Sequence, residues 1–211
     1  MEKVLVLGAS RGLGATVVKN LTGKFEIISV SRKTDKFKLD FSKPDEQKKA
    51  FDLVLEIRPS RVFYFAGGGP FGKFEDKEWK DHQWSLEVNF LFPARLLNHV
   101  MKNKLDLKQI AFVGSLIAEN NAHPMGASYG AGKSALKSLL ESVNIEGKNS
   151  IDIRLFSPGY MDTEMLPKNA YPRREGVKLL SPNFVAEKFC EWVNNTNANW
   201  YLGVPNECPI E

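Results

Sequence analysis

Short apolar runs rich in β-branched residues alternate along the chain with longer segments in which apolar residues recur every three or four positions. Runs such as VLVL (4–7) and QIAFVGS (109–115) are typical of strands buried on both faces of a sheet. Segments such as PDEQKKAFDLVLEIR (44–58) have helical spacing and a proline at a favourable first position. The pattern predicts strands over 4–7, 26–31, 61–66, 109–115, 151–159 and 199–204, and helices over 12–23, 44–58, 79–103, 129–144 and 182–195. Pro93 is expected to kink the long helix.

Strands and helices alternate from end to end, with no repeat, linker or low-complexity segment between them. This alternation predicts an α/β fold with a doubly wound parallel sheet, covered by helices on both faces. We expect residues 1–211 to form a single domain. The least regular stretch, 163–182, has three prolines and mixed charge, and we expect it to be a substrate lid.

Composition narrows the function classes without identifying one. Of the 211 residues, 43% are hydrophobic and 26% are charged, as in an ordinary globular domain. The 29 basic and 25 acidic residues leave a net charge of +4, too small and dispersed to indicate a nucleic-acid partner. Two cysteines are too few for a disulfide framework, and no apolar run approaches a signal peptide or a membrane span. We therefore expect a cytoplasmic protein with no membrane partner.

A glycine-rich turn, LGASRGLG (7–14), follows the first strand and opens the first helix. In such folds ligands bind at the carboxyl ends of the strands, and a helix N-terminus there offers N–H donors to a phosphate. The glycines Gly8, Gly12 and Gly14 permit a tight turn close to a pyrophosphate, although a turn without a ligand is the alternative. The predicted contacts with a dinucleotide are Gly8, Ser10, Arg11, Gly12, Leu13 and Gly14.

The tip of the second strand carries Ser31, Arg32 and Lys33. An NAD enzyme would place an acidic residue there to hold the ribose hydroxyls. A guanidinium instead binds a 2′-phosphate, and Arg11 is expected to reach the same group. The tip therefore predicts NADP(H) in preference to NAD(H), unless both arginines are solvated surface charges.

Tyr129 and Lys133 lie four residues apart in ASYGAGKSAL (127–136), so they share one face of the predicted helix. A phenol has a pKa near 10, and a neighbouring ammonium would lower that pKa and make the phenol a better acid. Gly130 and Gly132 would clear space for a flat ligand beside the pair. A solvated helix face is the alternative for this spacing. Ser115, at the end of its strand, could donate to a substrate carbonyl or simply cap a turn.

These motifs together resemble the short-chain dehydrogenase/reductase family, in its main branch of Rossmann-fold enzymes. Gly8, Gly12 and Gly14 match the family's glycine turn, and Ser115, Tyr129 and Lys133 match its catalytic residues. Further matches are Asn89 in LEVNF, Asp40 in KLDFS, Ala66 and Gly67 after the third strand, and Pro158, Gly159 and Thr163 in SPGYMDTEM. Six motifs in the expected order between residues 8 and 163 make the resemblance specific.

The resemblance implies an NADPH-dependent reductase that converts a ketone or aldehyde into an alcohol, reversibly. Tyr129 would give the proton, Ser115 would orient the carbonyl, Lys133 would lower the Tyr pKa and bind ribose, and Asn89 would hold a water that resupplies protons. Asp40 would contact adenine, Ala66 and Gly67 would pass the cofactor ribose, and Pro158, Gly159 and Thr163 would surround the nicotinamide end. The family usually forms dimers or tetramers through its long helices, so we expect a homodimer or homotetramer.

Two departures from the family pattern change these expectations. Phe65 in FAGGG replaces an asparagine that helps to brace the sheet, and the chain is shorter than the family norm after Thr163. We therefore expect a reduced lid over 163–182, completed by a partner subunit or left open. Expected pocket residues are Gly68, Pro70, Phe71, Leu116, Met125, Tyr160, Met165 and Leu166. The role of Trp79 and Trp84, in the core or between subunits, stays open.

Two rival functions remain at this point. The first is a nucleotide-binding regulator that senses NADPH without turnover, since a fold does not define a function. The second is an epimerase or dehydratase that uses bound NAD, which the basic tip of the second strand disfavours. No metal is expected, because His82, His99 and His123 have no ligand-like spacing with other donors.

Overall fold

Six strands, all parallel, form one sheet in the computed structural model, which describes residues 1–33, 37–147 and 151–206. The strands are β1 (Lys3–Leu7), β2 (Glu26–Val30), β3 (Arg61–Tyr64), β4 (Gln109–Val113), β5 (Asp152–Pro158) and β6 (Tyr201–Val204). Their order across the sheet is β2-β1-β3-β4-β5-β6. The predicted doubly wound α/β fold, a single Rossmann-type domain, is confirmed.

The helices described by the structure cover both faces of this sheet. They are α1 (Gly12–Leu21), α2 (Pro44–Ile57), α3 (Trp79–Leu86), α4 (Phe92–Lys102), α5 (Leu116–Asn120), α6 (Ala127–Glu146), α7 (Tyr171–Arg174) and α8 (Pro182–Asn194). One core packs α2, α4 and α6 against the sheet, and a second packs α1 and α8 against its other face. Because both faces are covered, β1 is a continuous apolar run from Val4 to Leu7.

The order of the strands places a ligand crevice beside β1. The chain leaves β1 for β2 on one side and returns to β3 on the other, so the connections diverge at the carboxyl ends of β1 and β3. Such a switch point is where open parallel sheets bind ligands. The glycine turn 8–14 follows β1, and Ala66 and Gly67 follow β3, so both lie at this crevice.

Several strands end before their predicted limits. The predictions over 61–66 and 109–115 each included two residues that leave the ladder and form loops at the crevice instead. The interruption expected at Pro93 is a π-helical turn, Glu87–Leu91, which joins α3 to α4. Since proline lacks an N–H and crowds the preceding turn, a widened turn accommodates it.

Two short α-helices and a 3₁₀ helix, Phe74–Asp76, were not predicted. Helix α5 is a single turn directly after Ser115, and α7 lies within the irregular stretch 163–182. All three are too short to give a periodic apolar pattern, which explains why the sequence did not indicate them. Among the helices of the described ranges, none has the length and apolar character needed to cross a membrane.

Candidate active site

The glycines of the turn after β1 have different structural tasks. A Cβ on Gly8 would collide with the backbone of Ala66, and one on Gly14 would collide with the carbonyl oxygen of Gly8. These two glycines therefore let the turn, β3 and α1 approach one another. Gly12 has φ of 55°, and its nearest neighbour across the cleft is the Thr163 side chain, 3.9 Å from an added Cβ. Gly12 thus leaves open space in front of the N-terminus of α1, where a phosphate would meet N–H donors.

One cleft brings together most of the residues predicted to bind a cofactor. The cleft runs from the tip of β2 across the glycine turn to the end of β4. Its predicted residues are Gly8, Ser10, Arg11, Gly12, Leu13, Gly14, Ser31, Arg32, Asp40, Ala66, Gly67 and Thr163.

The end of the cleft near β2 combines basic groups with an aromatic ring. The Arg32 guanidinium lies 5.7 Å from the ring centre of Trp84, and Arg11 lies 4.0 Å from the exposed Glu164 carboxylate. The carboxylate of Asp40 accepts hydrogen bonds from the backbone and hydroxyl of Ser42. This end is therefore suited to a phosphate-bearing ligand that competes with Glu164 for Arg11.

A second, mostly apolar pocket adjoins the cleft and contains the predicted acid–base residues. Ser115, Tyr129 and Lys133 all line it. Ser115 forms a side-chain hydrogen bond with Tyr129. Lys133 donates from Nζ to the carbonyl oxygen of Val113 at 2.6 Å, and Nζ lies 5.8 Å from the centre of the Tyr129 ring. Phe65, Gly67, Val113, Met161, Thr163 and Met165 line both cavities, so the two are continuous.

Burial governs the acidity of the Tyr–Lys pair. It raises the pKa of Tyr129, while the hydrogen bond with Ser115 opposes that rise. It lowers the pKa of Lys133 to about 8, and the charge of Glu119 opposes that fall. The lowering of the Tyr129 pKa that we expected from Lys133 is not found. The ammonium lies over the aromatic ring and donates to a backbone carbonyl, and no hydrogen bond joins it to the phenolic oxygen among the described contacts.

Asn89 lies behind the cavities and lines neither of them. It is fully buried in the π-helical turn, where its amide group donates to Gly68 O at 2.6 Å and to Ser85 O at 2.7 Å. A Cβ on Gly67 would be 2.8 Å from Asn89 Oδ1 and 3.4 Å from Lys133 Nζ, so both side chains flank Gly67. Asn89 therefore fixes the loop after β3 next to Lys133.

The two glycines beside Tyr129 make room for protein rather than for a ligand. A Cβ on Gly132 would lie 2.9 Å from the Cβ of Asn89, and one on Gly130 would lie 2.8 Å from the Cβ of His123. The ring of His123 lies 5.6 Å from that of Tyr129, and burial lowers the pKa of His123. The glycines thus allow α6 to pack closely against the elements that support its Tyr and Lys.

Pro158 and Gly159 line the second pocket at the end of β5, next to Thr163. Of the expected pocket residues, the lining includes Gly68, Pro70, Phe71, Tyr160, Met165 and Leu166. Leu116 does not line it and instead packs near Gly203, and Met125 is exposed outside it. Apart from Ser115, Tyr129, Lys133, His123 and Thr163, the side chains of the lining are aromatic and aliphatic.

Three residues of the site were not identified from the sequence as functional. Trp84 stacks on Arg32 and fills the space beside Gly68, and Phe65 packs on Phe189 at 4.9 Å while lining both cavities. Glu119 accepts a hydrogen bond from the Ser115 backbone at 2.7 Å. Of these three residues, only Glu119 could have been found from the sequence, because it is the one acidic residue in the apolar segment that follows Ser115. In the described part of the chain, no group of three or more potential ligands could hold a metal ion.

The fold and this cleft define a nucleotide-binding oxidoreductase of the Rossmann type. The model of the short chain dehydrogenase family matches residues 2–173, and the chain therefore belongs to that family. A 7beta-hydroxysteroid dehydrogenase of Mediterraneibacter gnavus is 26% identical over an alignment of 187 residues that covers 78% of this chain and 71% of that protein.

Two further similarities concern a cyclic-di-GMP-binding protein and a solved structure. The cyclic-di-GMP-binding biofilm dispersal mediator protein of Escherichia coli K12 is 23% identical over an alignment of 188 residues that covers 82% of this chain and 78% of that protein. A short chain dehydrogenase from Burkholderia cenocepacia J2315, solved with NADP, has a TM-score of 0.83 and 20% identity, covering 98% of this chain and 96% of that one.

Proposed function

We propose that the protein is an NADPH-dependent reductase of ketone or aldehyde carbonyls, with Tyr129 as the proton donor. The observation that carries this proposal is the convergence of Ser115, Tyr129 and Lys133 where the basic cleft opens into the apolar pocket. Family membership supports the same reaction class. A regulator without turnover would need the cleft but not the acid–base group at its inner end.

The cleft suits NADP(H) along its whole length. The open space before Gly12 fits the pyrophosphate, and Arg32 and Arg11 provide charge for a 2′-phosphate. Thr163, Pro158 and Gly159 lie at the inner end, beside the acid–base group. NADP bound to the Burkholderia protein supports the same cofactor here.

A bound NADPH would supply the hydride that reduces the carbonyl carbon. The protein's own task is to hold the substrate and to deliver one proton to the carbonyl oxygen, which completes the alcohol. Tyr129 is protonated at neutral pH and is able to donate, and the burial that raises its pKa makes it a weaker acid than a free phenol. Ser115, hydrogen-bonded to Tyr129, orients the same oxygen, and Lys133 binds the ribose and returns a proton to the phenolate. Asn89 supports that return by fixing the loop beside Lys133.

The pocket favours an apolar substrate of some size. Pro70, Phe71, Tyr160, Leu166 and Tyr171 provide aromatic and aliphatic surface around the acid–base group. The similarity to a hydroxysteroid dehydrogenase adds steroid ketones to the candidate class. We propose that residues 163–182 form a reduced lid over this pocket, because Met165, Leu166 and the flank of α7 line it.

The test is NADPH oxidation by the wild type and by Tyr129→Phe, against a panel of steroid ketones, other ketones, aldehydes and quinones. Loss of a general acid typically costs about 10²–10⁴-fold in rate, so we expect the variant to lose at least about 100-fold in kcat. Its affinity for NADPH, measured by fluorescence titration, should stay unchanged. Equal rates in the two proteins would refute Tyr129 as the donor.

A second candidate function is a nucleotide sensor that acts through a partner. The similarity to a cyclic-di-GMP-binding protein is the observation that favours it. The same experiment separates the two functions. Binding of NADPH without oxidation of any panel member, together with saturable binding of cyclic-di-GMP, would support the sensor over the reductase.

A further inference from the structure

The carboxylate of Glu119 connects three parts of the sheet behind the acid–base group. Its Oε1 accepts hydrogen bonds from the backbone N–H of Ser115 and from the hydroxyl of Ser157, both at 2.7 Å. Its Oε2 accepts a hydrogen bond from the hydroxyl of Tyr201 at 3.1 Å. A single side chain on α5 therefore holds the loop after β4, the end of β5 and the first residue of β6.

The chain makes a specific space for this carboxylate. A Cβ on Gly114 would collide with Glu119 Oε1 and with the hydroxyl of Ser157. Ser157 is fully buried, and Glu119 is partly buried. A carboxylate removed from water is costly unless donors satisfy it, and here three donors do so. The backbone of Ser115 is thus anchored by a charge-assisted hydrogen bond, which is stronger than a neutral one.

The charge of Glu119 acts on the pKa of Tyr129, Lys133 and Tyr201. Helix α6 presents Tyr129 and Lys133 to it, and Lys137 lies on the same helix with Nζ 5.1 Å from the centre of the Tyr201 ring. Strand β6 contributes Tyr201, and β5 contributes only the hydroxyl of Ser157. The negative charge adds to the burial that raises the pKa of Tyr129, and it opposes the burial that lowers the pKa of Lys133.

We propose that Glu119 is a positioning residue of the active site, which anchors Ser115 through its backbone and places a fixed negative charge behind Tyr129 and Lys133. This inference rests on the proposed reductase function. The negative charge favours the protonated form of Tyr129, which is the form that can give its proton to the carbonyl oxygen. The charged form of Lys133 is likewise favoured, for the ribose and for returning the proton.

Two variants separate the charge of Glu119 from its anchoring contact. Glu119→Gln keeps the shape and an acceptor for the Ser115 N–H but removes the charge. Glu119→Asp keeps the charge but is one methylene too short to hold the same contacts. Tyr201→Phe is the control, since it removes one donor and leaves both the charge and the Ser115 contact in place.

The charge is tested by NMR titration of protein labelled with ¹³C at the lysine ε-carbon. The transition of Lys133 is assigned by its loss in Lys133→Met. Wild type should titrate at about 8. In Glu119→Gln the transition of Lys133 should move to a lower pH, whereas in Glu119→Asp and Tyr201→Phe it should stay close to that of the wild type. An unchanged midpoint in Glu119→Gln would overturn the role of the charge.

The anchor is tested by hydrogen exchange at the backbone amide of Ser115. Loss of a hydrogen bond to a charged acceptor should make exchange in Glu119→Asp about tenfold faster or more. Exchange as slow as in the wild type would overturn the anchoring role. Neither the NMR titration nor the hydrogen exchange needs turnover, so both test the role of Glu119 even in a protein that reduces no carbonyl. Absence of turnover in the wild type would count against the proposed reductase function and not against the role of Glu119. With an active substrate, the rate profile of Glu119→Gln should also shift to lower pH.

Discussion

Single residues at the outer end of the cleft carry the proposed preference for NADPH. The exposed guanidinium of Arg32 stacks on Trp84 at 5.7 Å. Stacking orients a guanidinium through its flat face, and its N–H groups remain in the plane where a phosphate binds. This contact, which the sequence position alone did not reveal, supports the proposed role of Arg32 in binding a 2′-phosphate.

Replacing this charge should reverse the preference between the two nicotinamide cofactors. A hydrogen bond to a charged group contributes about 1.5–3 kcal/mol, so Arg32→Asp should lower the ratio of kcat/KM for NADPH to that for NADH by about 10–100-fold or more. The measurement is steady-state kinetics with both cofactors. Lys24→Asp, an exposed charge change before β2 at the opposite end of the sheet, is the matched control. Equal losses in both variants, or no loss with Arg32→Asp, would show that Arg32 does not read the phosphate.

At the scale of elements, the close packing of α6 against the π-helical turn supports the acid–base group. Helix α6 carries Tyr129 and Lys133, and the turn carries Asn89. Gly132 allows the two to meet, because its added Cβ would lie only 2.9 Å from the Cβ of Asn89. A widened turn and a glycine in a helix each have a cost locally, and the packing of the two elements offsets that cost.

Gly132→Ala tests whether packing outweighs helix propensity. In an isolated helix this change would stabilise by about 1 kcal/mol. Overpacking of a core typically costs about 1–3 kcal/mol, so we expect the variant to have a lower free energy of unfolding, measured with urea. The control is Gly147→Ala at the end of α6, where an added Cβ meets no atom within 4 Å. Its unfolding free energy should change by less than about 0.5 kcal/mol. A stabilised Gly132→Ala protein would contradict the packing role.

For the whole molecule, the buried ammonium of Lys133 links stability to pH. Burial lowers the pKa of Lys133 from 10.5 to about 8, and the side chain is only 3% exposed. Between these two values the unfolded chain binds more protons than the folded one. The free energy of unfolding contributed by this group therefore rises as the pH increases from about 8 to 10.5.

Lys133→Met should remove this rise. The difference in unfolding free energy between the wild type and the variant should change across that window by at most about 3 kcal/mol, the equivalent of the shift in pKa. Urea unfolding at a series of pH values measures it. Lys137→Met, one turn further along α6, serves as the control and should retain the wild-type dependence on pH. Parallel curves for the wild type and Lys133→Met would mean that Lys133 titrates at its ordinary pKa in the folded protein.

The expected homodimer or homotetramer stays a prediction.

Local patterns along the chain were enough to predict the architecture and most of the cleft. Apolar runs and helical spacing predicted all six strands of the described sheet, and the turn Gly8, Gly12, Gly14 was correctly placed after β1. Ser115, Tyr129 and Lys133 do meet in one pocket. The limits of elements were less accurate, since strand ends are determined by where loops leave the sheet. Single turns such as α5 have no periodicity to detect.

The sequence by itself determined the fold class, the family and the candidate acid–base residues, because each follows from apolar patterns and motifs that are visible along the chain. Only the tertiary structure decided what surrounds those residues. Glu119 meets Ser157 and Tyr201, which are 38 and 82 positions away along the chain. The space beside Gly130 and Gly132 is filled by His123 and Asn89, and burial sets the pKa of both Tyr129 and Lys133. Contacts across such separations, and the loss of water that accompanies them, arise when the helices close over the sheet, and no local pattern encodes them.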